Sequence, residues 1–232
     1  MRKTLIFPGI FFVCVATFLL PGAARPAERA GEKIIYTVKL KGISLGTAVF
    51  TQMGTVTLAK EPLNFVTFET RVTGFQDIEK IYSDPRNYLP VRIERDIRGV
   101  SGKEKITEAY NQKKHTLTIT KVAGKATQES VVKKEVPIHN AIMLPFYVRN
   151  IAHLVPGWSM HAQLPTQAFT ITLAGVEYVS VPAGKFKCYR FASEPKRFEI
   201  WITTDELRIP VKIKGAAGLG YSLSMRVYSD KK

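Results

Sequence analysis

From Lys33 to the C-terminus the sequence alternates with a period close to two, and that rhythm commits the chain to half-buried antiparallel strands. In KIIYTVKL, residues 33–40, Ile34, Tyr36, Val38 and Leu40 share one face, with Lys33, Thr37 and Lys39 on the other. VRIERDIR, residues 91–98, sets Val91, Ile93 and Ile97 against Arg92, Glu94, Asp96 and Arg98. TLTITKV, FTITLAGVEYVSV, RFEIWIT, PVKIKG and YSLSMRVYS repeat the pattern. Turn residues separate the runs at Lys60-Glu61-Pro62, Asp84-Pro85-Arg86-Asn87, Asn111-Gln112-Lys113-Lys114, Pro182-Ala183-Gly184 and Thr204-Asp205-Glu206.

One stretch departs from the alternation. HNAIMLPFYVRNIAHLVPGW offers Asn140 as an N-cap and Pro145 in a first turn, and Met143, Phe146, Tyr147, Ile151 and Leu154 recur at helical spacing. Pro156-Gly157 ends the run, so the spacing predicts a helix over about Ala141 to His153 between two β-rich halves. The expected fold is mainly β: antiparallel sheets in a barrel-like or two-half sandwich architecture with one connecting helix. An outer-membrane barrel would need long strands with an uninterrupted lipid-facing apolar side. These strands carry Lys, Arg and Glu along that side, which favours a soluble fold.

The N-terminus has a separate logic. Arg2 and Lys3 precede an apolar run from Leu5 to Leu20, and Gly22-Ala23-Ala24 supplies small residues for cleavage. This is the three-part pattern of a secretory signal, expected over residues 1–24, and Pro8-Gly9 interrupts the run well short of a membrane span. Cys14 lies inside the apolar core behind Val13, so it is no lipidation site. A flexible lead-in is expected over 25–32 and a single β-rich domain over 33–232. The predicted compartment is the periplasm. Cleavage leaves one cysteine, Cys188, so no internal disulfide can form. It also lowers the formal charge from +15 to +13, with Lys and Arg spread along the chain. An exported chain of this charge points away from nucleic acid and toward anionic head groups or acidic glycans, with peripheral membrane contact among the possibilities.

Catalytic signatures are present only in outline. GISLG, Gly42 to Gly46, satisfies G-x-S-x-G around Ser44, but a nucleophile elbow requires a strand-to-helix turn and the following TAVFTQ reads as strand. A β-connection or bulge is expected there instead. His115, His139, His153 and His161 form no metal-binding motif, and no glycine-rich loop opens a helix. Nothing in the chain calls for a metal or a cofactor, and catalytic residues are expected to be none.

Cys188 follows a turn in VPAGKFKCYRF. Pro182 suits the first central position of a type I turn and Gly184 the left-handed residue after it. Counting by two, Phe186 and Cys188 then share one strand face, which favours a thiol packed as a small hydrophobe over a reactive one. Exposed, its pKa would fall under Lys187 and Arg190, and that alternative stays open.

GEKIIYTVKLKGISLGTA, YSDPRNYLPVRIERDIR, VPAGKFKCYRF and WITTDELRIPVKI, in that order, resemble the bacterial Domain of Unknown Function 3108 family over nearly all of the chain after the leader. The resemblance implies an exported, largely antiparallel β protein of the Gram-negative envelope and carries no catalytic residues. It marks Pro182, Ala183, Gly184, Phe186 and Cys188 as a hairpin signature, and Arg208, Ile209 and Pro210 as a second tight turn into a strand.

Two functional classes follow, with a hydrolase as a distant third. One is a non-catalytic carrier or sensor for an amphipathic, lipid-like anionic envelope ligand, held in the cavity a curved sheet can enclose. The other is an assembly module that docks another envelope protein through a sheet edge or apolar patch. A contiguous apolar cavity would favour the first and a filled core with an exposed patch the second. The candidate ligand contact is Trp201, because Ile200, Trp201 and Ile202 make a strand too apolar for solvent on either face.

Overall fold

The computed structural model describes residues 29–100, 102–151, 153–215 and 221–230. The leader expected over 1–24 lies outside the described residues. The lead-in enters them at Arg29, and the part that is described is tied down. The Gly31 N–H donates to the Gln52 carbonyl (2.8 Å), the Gln52 N–H donates to the Glu32 carbonyl (2.8 Å), and Glu32 itself is buried.

The alternating runs form β1 (Lys33–Leu40), β2 (Ile43–Leu58), β3 (Glu61–Val72), β4 (Phe75–Ser83), β5 (Pro90–Gly99), β6 (Gly102–Asn111), β7 (Thr116–Ala123) and β8 (Ala126–Lys133). After a short helix α1 (Leu144–Arg149) come β9 (Ser159–Gln163), β10 (Ala168–Val181), β11 (Gly184–Glu194), β12 (Phe198–Thr203), β13 (Pro210–Gly215) and β14 (Tyr221–Ser229). All fourteen belong to one antiparallel sheet in the order β8-β7-β6-β5-β4-β3-β2-β1-β14-β13-β12-β11-β10-β9. Each strand pairs with its sequence neighbour, as short turns dictate. The one long-range join is β1 with β14, where Tyr36 faces Met225 and Val38 faces Leu223.

Register shifts at Gln52/Gly54 in β2 and Leu173/Gly175 in β10 are bulges that bend the two longest strands and coil the sheet into a barrel-like shape. The sheet does not close on itself, because β8 and β9 end the order unpaired with each other. The chain between β8 and α1 lies against the β9 edge instead. Ile138 bridges Gln163 in parallel, and the His139 N–H donates to the Gln163 carbonyl (2.6 Å). The Gln112 side chain clasps Ile138 from the other side, accepting from its N–H (3.0 Å) and donating to its carbonyl (2.9 Å).

The helix is shorter than its spacing suggests. Asn140 Oδ1 accepts from the N–H groups of Ile142 (2.9 Å) and Met143 (3.2 Å), but it organises a turn ahead of the helix and α1 starts at Leu144. Asn150 ends it by turning its own amide onto the Phe146 carbonyl (2.5 Å). Six residues suffice because α1 works as a wedge between two apolar clusters. Phe146 joins Ile34, Tyr36, Phe50, Ile81, Ile93 and their neighbours, while Leu144 and Val148 join Ile171, Phe191, Ile200 and Ile202. The Phe146 ring stacks on Phe50 with centroids 3.6 Å apart. β12 is buried on both faces, Trp201 in the first cluster and Ile200 and Ile202 in the second.

Candidate functional site

Hairpin tips at one end of the sheet converge on α1. The β2–β3 turn, the Asp84–Leu89 loop between β4 and β5, and the β6–β7 turn form one side; Phe146, Arg149 and Asn150 form the other, with the lead-in beneath. Between them lies a cavity of about 1120 Å³. Its walls alternate in character. Leu58, Leu63, Val91 and Phe146 supply hydrocarbon, and Arg29, Arg86, Lys113 and Arg149 supply positive charge, against Glu32, Glu61 and Asp84. That volume is at the upper limit of small-molecule sites.

The floor is a buried ion pair. Arg149 and Glu32 have side chains 3% and 2% exposed. Arg149 Nη1 donates to Glu32 Oε2 (2.9 Å) and Nη2 to Oε1 (2.8 Å), a two-point fork that a lysine could not make. Nη2 also donates to the Leu207 carbonyl (3.1 Å), and the Arg149 carbonyl accepts from Arg208 Nη1 (3.2 Å). Arg149 Nε is buried with no hydrogen-bond partner. Arg29 stands over the pair, 3.8 Å from Glu32 Oε1, and donates to the same Leu207 carbonyl (2.9 Å). Two cations thus face one carboxylate at the bottom of the cavity.

Tyr88 enters this wall in a left-handed backbone conformation, φ 55°, uncommon for a bulky side chain. The loop holds it there: the Tyr88 N–H donates to the Asp84 carbonyl (2.8 Å), and the Leu89 N–H donates to Asn87 Oδ1 (3.0 Å). Burial raises the Tyr88 phenol above its usual range, opposed by Arg149 and Arg29, so it remains a neutral hydrogen-bonding group. At the rim Arg86 grips Asp84, Nη2 to Oδ2 at 2.6 Å, and holds that carboxyl below its ordinary pKa.

A second set of ionisable groups lies further along the inner face of β4, β5 and β6. Arg95 bonds Asp77 and stands 3.7 Å from Glu79, while the Tyr110 hydroxyl donates to Glu108 (2.5 Å). Burial lifts Glu79 to about 7; Arg95 opposes the rise, and Asp77 and Glu108 add to it. Asp77 Oδ1 and Arg95 Nε are buried without hydrogen-bond partners. The arrangement holds charge inside the fold, but it opens on no cavity shared with the first.

The residues singled out from sequence fall elsewhere. The Pro182–Ala183 turn joins Val181 to Gly184, which has φ 138°, and the Ala183 N–H donates to the Met225 carbonyl (3.0 Å), pinning the hairpin to β14. Cys188 is fully buried, its Sγ 3.6 Å from the Phe186 carbonyl, and Phe186 packs on the same cluster. Burial, then the nearby Asp205 and Glu177, push the thiol up to about 11, the opposite of activation. Trp201 is not among the residues around the cavity. It is 6% exposed, its Nε1–H donates to Glu177 Oε1 (2.7 Å), and Lys212 Nζ lies 5.0 Å from the ring centroid.

Ser44 is exposed on β2, with no helix after it. Gly46 is there because a Cβ would sit 2.0 Å from the Arg71 carbonyl oxygen of β3, a backbone close approach and not an elbow. Among the described residues no three His, Cys, Asp or Glu side chains converge as a metal-ligating group. Glu32 and Tyr88 lie in stretches that carry the family resemblance, but nothing in the sequence marks them or Arg149 as site residues. Glu32 and Arg149 are 117 positions apart.

A family model, Protein of unknown function (DUF3108), matches residues 35–227. The chain belongs to this family. No curated protein matches it. Among solved structures, this DUF3108 chain is similar to a β-barrel-like protein of Domain of Unknown Function DUF1849 from Brucella abortus. The TM-score is 0.52 at 10% identity, over 89% of this chain and 100% of the other. At that identity the likeness speaks for the barrel-like fold alone. A protein with a YmcC-like fold from Bacteroides fragilis aligns over 88% of the DUF3108 chain and 97% of its own length, at 8% identity and a TM-score of 0.32.

Proposed function

We propose that this DUF3108 protein is a non-catalytic periplasmic binder of an anionic amphiphile, with the end cavity as its site. The observation that carries the reading is the pairing, in one cavity, of hydrocarbon walls with more cationic than anionic groups. Leu58, Leu63, Val91 and Phe146 suit an acyl or isoprenoid segment. Arg29 and Lys113 suit a head-group oxyanion. Export rests on the leader sequence, and the mix of hydrocarbon and cationic groups around the cavity speaks for binding.

Thermal denaturation of the mature protein with lysophosphatidylglycerol, and with a long-chain alcohol of the same length, tests it. Saturable stabilisation by the anionic lipid, weaker with the alcohol and abolished by Val91→Trp, supports the site. Equal shifts with both ligands, or none, overturn it.

A second reading is favoured by one observation. The edge strand β8 is exposed at seven of its eight positions, Val131 to 64%, and pairs with β7 on one side only. Such an edge can take a partner strand. If Val131→Pro removed co-purifying envelope proteins while Val91→Trp changed nothing, assembly would be the better account.

A further inference from the structure

The opposite end of the sheet has a different chemistry. The β1–β2, β3–β4, β5–β6 and β7–β8 turns all point away from the cavity, because each strand reverses its predecessor. Across residues 39–45, 71–76, 98–103 and 122–127 the sequence holds Lys39, Lys41, Arg71, Arg98, Lys103 and Lys125 and no Asp or Glu. The nearest carboxylates, Glu69, Asp77, Asp96, Glu104 and Glu129, sit deeper along the strands, and Arg71, Arg95, Arg98 and Lys121 engage the first four. At the cavity end the tips mix signs, with Lys60 beside Glu61 and Asp84 beside Arg86.

The same four tips expose large apolar side chains where a soluble protein would place polar ones. Val100 is 98% exposed at the apex of β5–β6, Ile43 is 68% exposed beside the β1–β2 turn, and Phe75 is 39% exposed at the start of β4. Neighbouring tips lie side by side. A Cβ on Gly74 would meet Val100 Cγ1 at 3.5 Å, and one on Gly99 would meet the Phe75 ring at 3.6 Å. A shallow cleft of about 530 Å³ runs between them, with Arg71, Phe75, Arg98 and Lys103 around it.

We infer that this end docks on an anionic phospholipid surface, Val100, Ile43 and Phe75 entering the acyl boundary and the cations meeting lipid phosphates. Apolar apices collared by Lys and Arg are the arrangement an interfacial segment uses, the long cationic side chains reaching the head-group level while the apex goes deeper. A fluid surface requires no complementary pocket for each tip, and the absence of carboxylates removes the repulsion an anionic leaflet would otherwise impose. This surface stands independently of the cavity, which is at the far end of the strands.

Flotation of the mature protein with phosphatidylcholine vesicles, with and without phosphatidylglycerol, tests the inference. Binding is expected only with phosphatidylglycerol and is expected to weaken with salt. Lys41→Gln and Lys103→Gln should each reduce it about fivefold, and Val100→Ser should reduce it further. Val100 touches solvent on nearly all sides, so its replacement leaves folding intact. Val100→Cys labelled with an environment-sensitive dye should shift to the blue on vesicle binding, while buried Cys188 stays unlabelled.

Equal binding to both vesicle types, unchanged binding in the tip variants, or a label that remains in water on bound protein would each overturn the inference. So would capture of a protein through these tips with no vesicle binding. The tip variants should keep the response to lysophosphatidylglycerol at the cavity, which separates failure of this surface from failure of the cavity reading.

Discussion

The two halves of the sheet bury different things. Between β4 and β6 the inner face carries Asp77, Glu79, Arg95 and Glu108, with two of their polar atoms left without a hydrogen bond. Between β10 and β12 one cluster gathers Ile171, Leu173, Phe191, Ile200 and Ile202, sealed by Leu144 and Val148 of α1. Both halves pack hydrocarbon, the first through Ile81, Ile93 and Tyr110, but among the described residues of these strands only the first buries charged side chains. The first gives up stability to keep charge inside, a cost proteins retain where a site or a specific arrangement requires it. The join between them is β1 with β14, and over that join sits the Glu32–Arg149 pair.

The largest effects should come from breaking the join or the hydrocarbon half. Arg149→Met leaves Glu32 buried without its fork and should cost about 3–5 kcal/mol. Replacing both partners, Glu32→Leu with Arg149→Met, should recover much of that loss. A double-mutant cycle in chemical denaturation reads the coupling, and additive losses would show that the pair does not hold the halves together. Phe191→Ala removes a ring packed edge-on against Trp158, with centroids 5.9 Å apart, and should also cost about 3–5 kcal/mol.

The charged half should respond to pH. Glu79 rises from an ordinary 4.5 to about 7 on folding, because burial disfavours its ionised form. The folded state therefore holds a proton that the unfolded state releases. The stability this contributes is complete below about 4.5, and is lost as pH rises through about 7. A shift of this size amounts to about 3 kcal/mol. Glu79→Gln should stabilise the protein at pH above the folded value and flatten the stability profile between the two. A profile as steep in the variant as in the parent would rule out Glu79 as the source of the slope.

Much of this architecture is visible in the sequence, and what is hidden is hidden for physical reasons. Strand periodicity shows because each face of an antiparallel strand meets one environment over many residues. The β12 strand could be read as central because Ile200, Trp201 and Ile202 leave no polar face. The helix was harder: α1 has apolar groups all round, since it wedges between two clusters, so apolar spacing overstated its length. Asn140 looked like an N-cap and serves a turn instead. The site was hardest of all, because neither Glu32 nor Arg149 is unusual until the fold joins the lead-in to the helix. Trp201 stands in a strand too apolar for solvent on either face, yet Glu177 and Lys212 satisfy it locally. The cationic tips were legible only as spread charge, until the strand order put every other turn at one end.

The smallest effect tests the inner packing of the hydrocarbon half near its hairpin. Cys188→Ser replaces a buried sulfur, beside Phe186, with a hydroxyl that must find an acceptor or go unsatisfied. Unsatisfied burial would cost about 1–3 kcal/mol. The Phe186 carbonyl already accepts from the thiol at 3.6 Å, so a hydroxyl has a partner within reach and the cost should fall near 1 kcal/mol. Cys188→Ala keeps the apolar character, loses only the sulfur's packing, and should cost a similar amount. Neither change should alter binding at the cavity, since Cys188 is not part of its wall. In the parent protein a thiol raised to about 11 and fully buried should react with a maleimide only after unfolding. Rapid labelling of the native protein, or a Ser variant that loses several times the expected stability, would mean that this hairpin opens to solvent and that the hydrocarbon half is less sealed than its partner.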